Sequence, residues 1–187
     1  MKELARFQCL GIDESNHGKF PEIFVAVYSE FPNDVVALYG LPKKRKNKRD
    51  LSEILEGREF KYILMPKDYK EWFGENEIRI IAYYELIKNF GHLDKIIIDG
   101  ELRKKEFDEL SKLLKVENPM KIIAESRADT TYSVVNIADQ IANVLFQYYN
   151  RFKNTRINTK FLQYLLTPKM EEHITLLENL EKKLKNS

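Results

Sequence analysis

The stretch Cys9-Leu10-Gly11-Ile12-Asp13-Glu14-Ser15 decides how the chain is read. An apolar run ends in two adjacent carboxylates, and the turn-forming Ser15-Asn16-His17-Gly18 follows. Successive side chains of a strand point to opposite faces. If this strand is central, one acid of the pair occupies a core-facing position or opens into a cleft. Gly11 allows close backbone approach near the strand's end.

Around it, residues 6–12 read as a first strand and Ile23-Phe24-Val25-Ala26-Val27-Tyr28-Ser29 as a second, with a turn at 15–19. The second is almost continuously apolar, as in a strand covered on both faces. The short connection predicts an antiparallel hairpin. Residues 35–39 are short and β-prone, and 61–65 form a strand stopped by Pro66. Trp72 and Phe73 are expected to cap the core, with a stacking surface as the alternative. Apolar spacing predicts helices over 77–90, 103–114 and 132–152, with strands at 95–100 and 120–124. A short helix is expected over 50–56, and the tail from 159 to 184 reads as helical. The expectation is an α/β fold: a mixed sheet with antiparallel first strands, then parallel strands joined by crossover helices, then C-terminal helices. Residues 1–152 form the expected core and 153–187 a helical extension.

At 187 residues, with 43% hydrophobic and 32% charged residues, the chain is long enough to bury a substantial core. The net charge of +2 does not by itself argue for nucleic acid. The one strong charge run is Lys43-Lys44-Arg45-Lys46-Asn47-Lys48-Arg49, a solvated loop or a phosphate-contacting one. The single cysteine, Cys9, excludes a disulfide within the chain and suits a reducing cytoplasm. No stretch approaches a membrane span, and no signal peptide is expected.

Two strands end in acid, at Asp13-Glu14 and at Asp99, and Asp129 stands just ahead of the longest helix. Ligands of open α/β sheets bind outside the carboxyl ends of the strands. If the first strand and 95–98 are parallel neighbours, Asp13 and Asp99 lie side by side. They then repel each other unless a cation intervenes. All-oxygen donors favour Mg²⁺ or Mn²⁺. Two such ions, about 3.5–4 Å apart, activate a water and stabilise the leaving oxygen of a phosphodiester. Asp139 competes with Asp129. Ten residues of continuous helix separate them by about 15 Å, so both serve one centre only if the helix begins well after Asp129. Taken singly, each acid is also explained as surface or cap chemistry: Asp129 as a helix N-cap, Asp99-Gly100 as a turn.

At these residues the sequence resembles ribonuclease HII, of the ribonuclease H-like fold. Gly11-Ile12-Asp13-Glu14 with Gly18 is similar to that family's opening Gly-Ile-Asp-Glu-Ala-Gly-Arg-Gly. Ile96-Ile97-Ile98-Asp99-Gly100 resembles its central strand ending in Asp-Gly. Ala128-Asp129-Thr130-Thr131-Tyr132-Ser133-Val134-Val135-Asn136-Ile137-Ala138, with Ile141-Ala142 and Val144, resembles its Lys-Ala-Asp-x-x-Tyr-x-Val-Val helix motif. The resemblance implies a metal site of Asp13, Glu14, Asp99 and Asp129 that cuts the RNA strand of an RNA–DNA hybrid. It departs at Asn16-His17-Gly18, where the family carries its Gly-Arg-Gly loop, and no Asp-Ser-Lys-Lys segment is recognisable. Asp13-Glu14-Ser15 and Ile137-Ala138-Asp139-Gln140 are also similar to a broader ribonuclease H-like group with a late Ala-Asp helix, in which Asp139 replaces Asp129. Candidate substrate contacts are Asn16, His17, Gly18, Lys19 and Arg127. His92 and His173 are expected at the surface, and Tyr148 and Tyr149 in packing. The alternative reading is a ribonuclease H-like nucleic-acid binder without junction-ribonuclease activity. A third is a partner-binding protein: the seam Leu176, Leu177, Leu180 and Leu184 offers a face for a second copy of the chain.

Overall fold

The computed structural model describes residues 7–15, 21–41, 54–55, 57–114, 121–151 and 159–185. Six strands form one sheet in the order β5-β4-β1-β2-β3-β6. They are β1 (Cys9–Ser15), β2 (Glu22–Ser29), β3 (Glu59–Met65), β4 (Lys95–Asp99), β5 (Lys121–Glu125) and β6 (Leu165–Leu166). β1 and β2 pair antiparallel, as do β2 and β3. β4 joins β1 in parallel, β5 joins β4, and β6 joins β3. Among the described strands, β2 alone runs against the rest, so β1, β4 and β5 end at one sheet edge.

The apolar runs of the central strands are buried on both faces, as their composition requires. Leu10, Ile12, Phe24, Ala26, Ile96 and Ile98 face helix α1 (Glu75–Lys88), together with Leu110 of α2 (Lys104–Leu113) and the apolar side of α5 (Met170–Lys185). Cys9, Ile23, Val25, Val27, Tyr62 and Ile97 face α3 (Ser133–Arg151). α1 begins where Glu77 reaches back to accept the Gly74 N–H at 2.8 Å, satisfying one otherwise orphaned donor of the first turn.

Several expectations shift. β1 extends through Ser15, so the acidic pair lies inside the strand instead of after it. Residues 35–39 form no strand: a 3₁₀ turn, Pro32–Val35, is followed by irregular chain and a turn at 39–40. Phe73 is buried but Trp72 is exposed. The tail is not wholly helical. Between the short helix α4 (Thr159–Leu162) and α5, the two residues of β6 pair with Tyr62 and Ile63 at the sheet's edge. Ile174 and Leu177 of α5 pack on the core and Leu180 is buried, so Leu177 and Leu180 of the seam are turned to the chain's own core. His173, expected at the surface, is 2% exposed. Of the helix expected over 50–56, only 54 and 55 fall among the described residues. The charge run at 43–49 lies outside them.

Candidate metal centre

Strand alternation sorts the acids. Cys9, Gly11 and Asp13 share the face of β1 that meets α3, whereas Leu10, Ile12 and Glu14 share the other. The register pairs Ile12 with Ile98, so Asp13 and Asp99 follow as neighbours on adjacent parallel strands, about 4.8 Å apart at the backbone. Asp99 in turn pairs with Glu125 of β5. Three carboxylates therefore line the carboxyl ends of three adjacent strands, beneath α3.

Gly11 makes the arrangement possible. A Cβ built there would lie 2.6 Å from the backbone carbon of Val134 and 2.7 Å from its oxygen. α3 thus starts in backbone contact with β1, and Asp139 is carried on its second turn. Asp129 stands before that helix, in the 3₁₀ turn Ala128–Thr130. Since α3 begins only at Ser133, Asp129 and Asp139 both reach Asp13's surroundings. Asn136 fixes the turn by donating its side-chain amide to the Asp129 carbonyl at 2.8 Å. Arg127, exposed, takes the left-handed conformation at φ 64°, and this sharp step returns the chain from β5 to α3.

Asp13 is 5% exposed. Burial, then the charges of Asp139, Asp99 and Asp129, push its pKa up to about 9. The Glu14 N–H, donating to Asp13 Oδ1 at 2.8 Å, opposes this without reversing it. Burial also raises Asp99, although the Ala128 N–H donates to its Oδ1 at 2.7 Å. Asp129 is 7% exposed. Asp139 accepts from the Asn143 amide at 2.7 Å. The structure therefore brings Asp13, Asp99, Asp129 and Asp139 together.

It does not bring Glu14 to them. Glu14 points to the opposite face, where Arg79 Nε lies 3.6 Å from its Oε2 and the Tyr83 hydroxyl donates to that oxygen at 3.4 Å. Asn16, His17, Gly18 and Lys19 lie outside the described residues. Three further residues border this edge. Burial, then the neighbouring charge of Glu125, raise the pKa of Tyr132. Arg79 sits beside Gly100. Glu125 was findable, since it ends an apolar strand as Asp99 does; Arg79 carries no local signal within its helix.

Among the described residues, no three His, Cys, Asp or Glu side chains already stand as a ready metal cage. The donor set nevertheless fits a hard divalent cation: carboxylate oxygens, a desolvated floor, and like charges that a cation neutralises.

The fold, a mixed six-stranded sheet with helices on both faces, is ribonuclease H-like by its likeness to solved structures. Structures of ribonucleases HII and HIII share it. A chain in the PCNA:RNase HII complex from Archaeoglobus fulgidus matches with a TM-score of 0.56 and 18% identity over 79% of each chain. Ribonuclease H2 from Pyrococcus horikoshii OT3 matches with a TM-score of 0.54 and 18% identity, over 79% of this chain and 77% of its own. Bst-RNase HIII in complex with Mn²⁺ matches at 0.55 and 17%, over 78% of this chain and 54% of its own. No protein-family model and no curated protein matches the sequence.

Proposed function

We propose that this protein is a divalent-metal-dependent nuclease that hydrolyses phosphodiester bonds, with the RNA strand of an RNA–DNA hybrid as its substrate. The observation that carries this is Asp13: buried, pushed up to about 9, and faced by three further aspartates at the carboxyl edge of a ribonuclease H-like sheet. Such a cluster is stable only with protons or a cation, and Mg²⁺ or Mn²⁺ suits its oxygen donors.

Asp13 and Asp99 would hold the ions from the strand ends, with Asp129 and Asp139 supplying oxygens from the α3 side. When bound, such ions lower the pKa of a water and neutralise charge on the leaving oxygen. The backbone N–H groups of Glu14 and Ala128 fix the rotamers of Asp13 and Asp99. Val134 against Gly11 fixes the distance of α3 from the strands. Arg127 lies exposed beside the Asp129 turn, where it would meet a substrate phosphate. Glu14 acts from the far face, holding Arg79 beneath the strand tips.

One feature favours the second reading, a nucleic-acid binder of the same fold without junction-ribonuclease activity. Glu14, which the resemblance places at the metals, is engaged by Arg79 and Tyr83. Hybrid, chimeric and single-stranded substrates incubated with Mn²⁺ or Mg²⁺ separate the two. Cleavage that disappears in Asp13→Asn supports the nuclease. Purified protein that binds these substrates yet cuts none of them, with or without metal, leaves the binder.

A further inference from the structure

We propose that Asp34 and Arg58 are positioning residues for Asp129: through the segment 36–41 they hold the turn that presents its carboxylate to the aspartate cluster. The proposal rests on the metal-centre reading above and adds two residues outside its four aspartates.

The Asp129 turn has to be held in place. It spans only Ala128–Thr130 and starts from Arg127 at φ 64°, a backbone region that a residue other than glycine adopts at a cost. It also carries a carboxylate towards other carboxylates, which repel it until a cation arrives. Its leading side is tied to β4: Asp99 Oδ1 accepts the Ala128 N–H at 2.7 Å. Its middle is tied to α3: the Asn136 amide donates to the Asp129 carbonyl at 2.8 Å. Its trailing side is tied to a third piece of chain. The Leu38 N–H donates to the Thr131 carbonyl at 2.8 Å, and the Leu41 N–H to the Thr130 carbonyl at 3.1 Å.

That third piece has an anchor of its own. Asp34, 3% exposed, receives the fork of Arg58: Nε donates to Oδ2 at 2.7 Å and Nη2 to Oδ1 at 2.9 Å. The Ser29 hydroxyl donates to the same Oδ2 and accepts the Phe31 N–H at 3.1 Å. One residue on, Val35 is buried in the apolar cluster that holds Ala128 and Tyr132, and its carbonyl accepts from Lys95 Nζ at 3.1 Å. The Asp34 node thus fixes the start of segment 36–41, and the Asp129 turn receives its end. Ser29 pairs with Cys9 and Val25 with Asp13, so the node lies about 13 Å along β1 from Asp13. Over that distance it acts on the site through the chain it holds. A loose turn would have to be ordered by the arriving ion, which weakens binding; a turn held beforehand spares that cost.

The test compares the full chain with Asp34→Asn, Arg58→Lys and, as a control for lost stability, His173→Leu, which breaks a buried contact on the other face of the sheet. Arg58→Lys keeps the net charge and breaks the fork, so its effect is not long-range electrostatics. It is also the milder change and carries the test if Asp34→Asn does not fold. Hydrogen–deuterium exchange is read on peptides over 31–41, 126–133 and 170–184, and Mn²⁺ affinity by isothermal titration. In Asp34→Asn and Arg58→Lys, exchange quickens over 31–41 and 126–133 and stays unchanged over 170–184. Mn²⁺ binds about 10-fold more weakly, the low end for residues that orient metal ligands. His173→Leu quickens 170–184 and keeps the wild-type Mn²⁺ affinity. Exchange over 126–133 that is unchanged, or that rises uniformly along the chain, overturns the proposal. So does wild-type Mn²⁺ affinity in both variants, or equal weakening by His173→Leu. Wild type that binds no Mn²⁺ removes the metal centre, and exchange then decides alone: quickening confined to 31–41 and 126–133 keeps the brace, and its absence removes it.

Discussion

Replacing Asp13 with Asn changes one oxygen to an amide, keeps the volume, and removes the charge that the site disfavours. The folded pKa of Asp13, about 9, lies above its ordinary 3.8. The folded state therefore holds a proton that the unfolded chain releases. Its stabilising contribution is full below pH 3.8 and is lost as pH rises towards 9. At neutral pH the unfolded chain gains by ionising. The gap from 3.8 to pH 7, at about 1.36 kcal/mol per unit, sets a ceiling of about 4 kcal/mol on what Asn recovers. Water entry and side-chain relaxation reduce this to about 1–2 kcal/mol. For a chain this long that is a rise in Tm of about 2–8 °C. The assay is thermal unfolding of metal-free protein from pH 4 to 9. Wild type loses stability across this range and Asp13→Asn is flatter and higher near pH 7. Mn²⁺ at about a hundred times its Kd adds about 2.7 kcal/mol to wild type and nothing to the variant. Asp13→Asn that is less stable than wild type at pH 7 without metal, or equally protected by Mn²⁺, would refute the reasoning.

Gly11→Ala drives a methyl into the Val134 backbone at 2.6 Å, so unfolding should come at least about 1–3 kcal/mol earlier, with Mn²⁺ protection reduced as α3 moves off β1. Arg79→Met removes the cation beside the half-buried Glu14; denaturant titration should show a loss of about 1–3 kcal/mol, partly restored by adding Glu14→Gln. His173→Leu breaks the bridge from the Tyr69 hydroxyl, 2.8 Å from Nδ1, to Glu85, 3.0 Å from Nε2. It should cost about 2–3 kcal/mol and expose the lysines of α5 to trypsin before the rest of the chain; uniform cleavage would count against this.

What could be read from the residues followed from period and polarity. Continuous apolar runs marked β2 and β4 as buried on both faces, and acids at strand ends marked the sheet edge where Asp13 and Asp99 stand side by side. Gly11 announced a close approach without naming α3 as its partner. The same alternation that buries Leu10 and Ile12 sends Asp13 and Glu14 to opposite faces. The motif resemblance alone groups Glu14 with the aspartates; Arg79, distant in sequence, decides where its side chain rests. β6 was illegible because two leucines inside a helix-like tail carry no period, and only the edge of β3 makes them a strand. His173 looked superficial because its burial depends on Tyr69 and Glu85, more than eighty residues away. Trp72 and Phe73 are neighbours of similar character, and only the packing against Tyr69 chose Phe73 for the core.

The most direct test of a metal centre built from these aspartates is a crystal of the full chain grown with Mn²⁺ and measured at the manganese edge. Anomalous density is expected between Asp13 and Asp99, reached also by Asp129 or Asp139. Glu14 should remain with Arg79. A Mn²⁺-saturated crystal without density there, or with the ion bound at another surface, would contradict it.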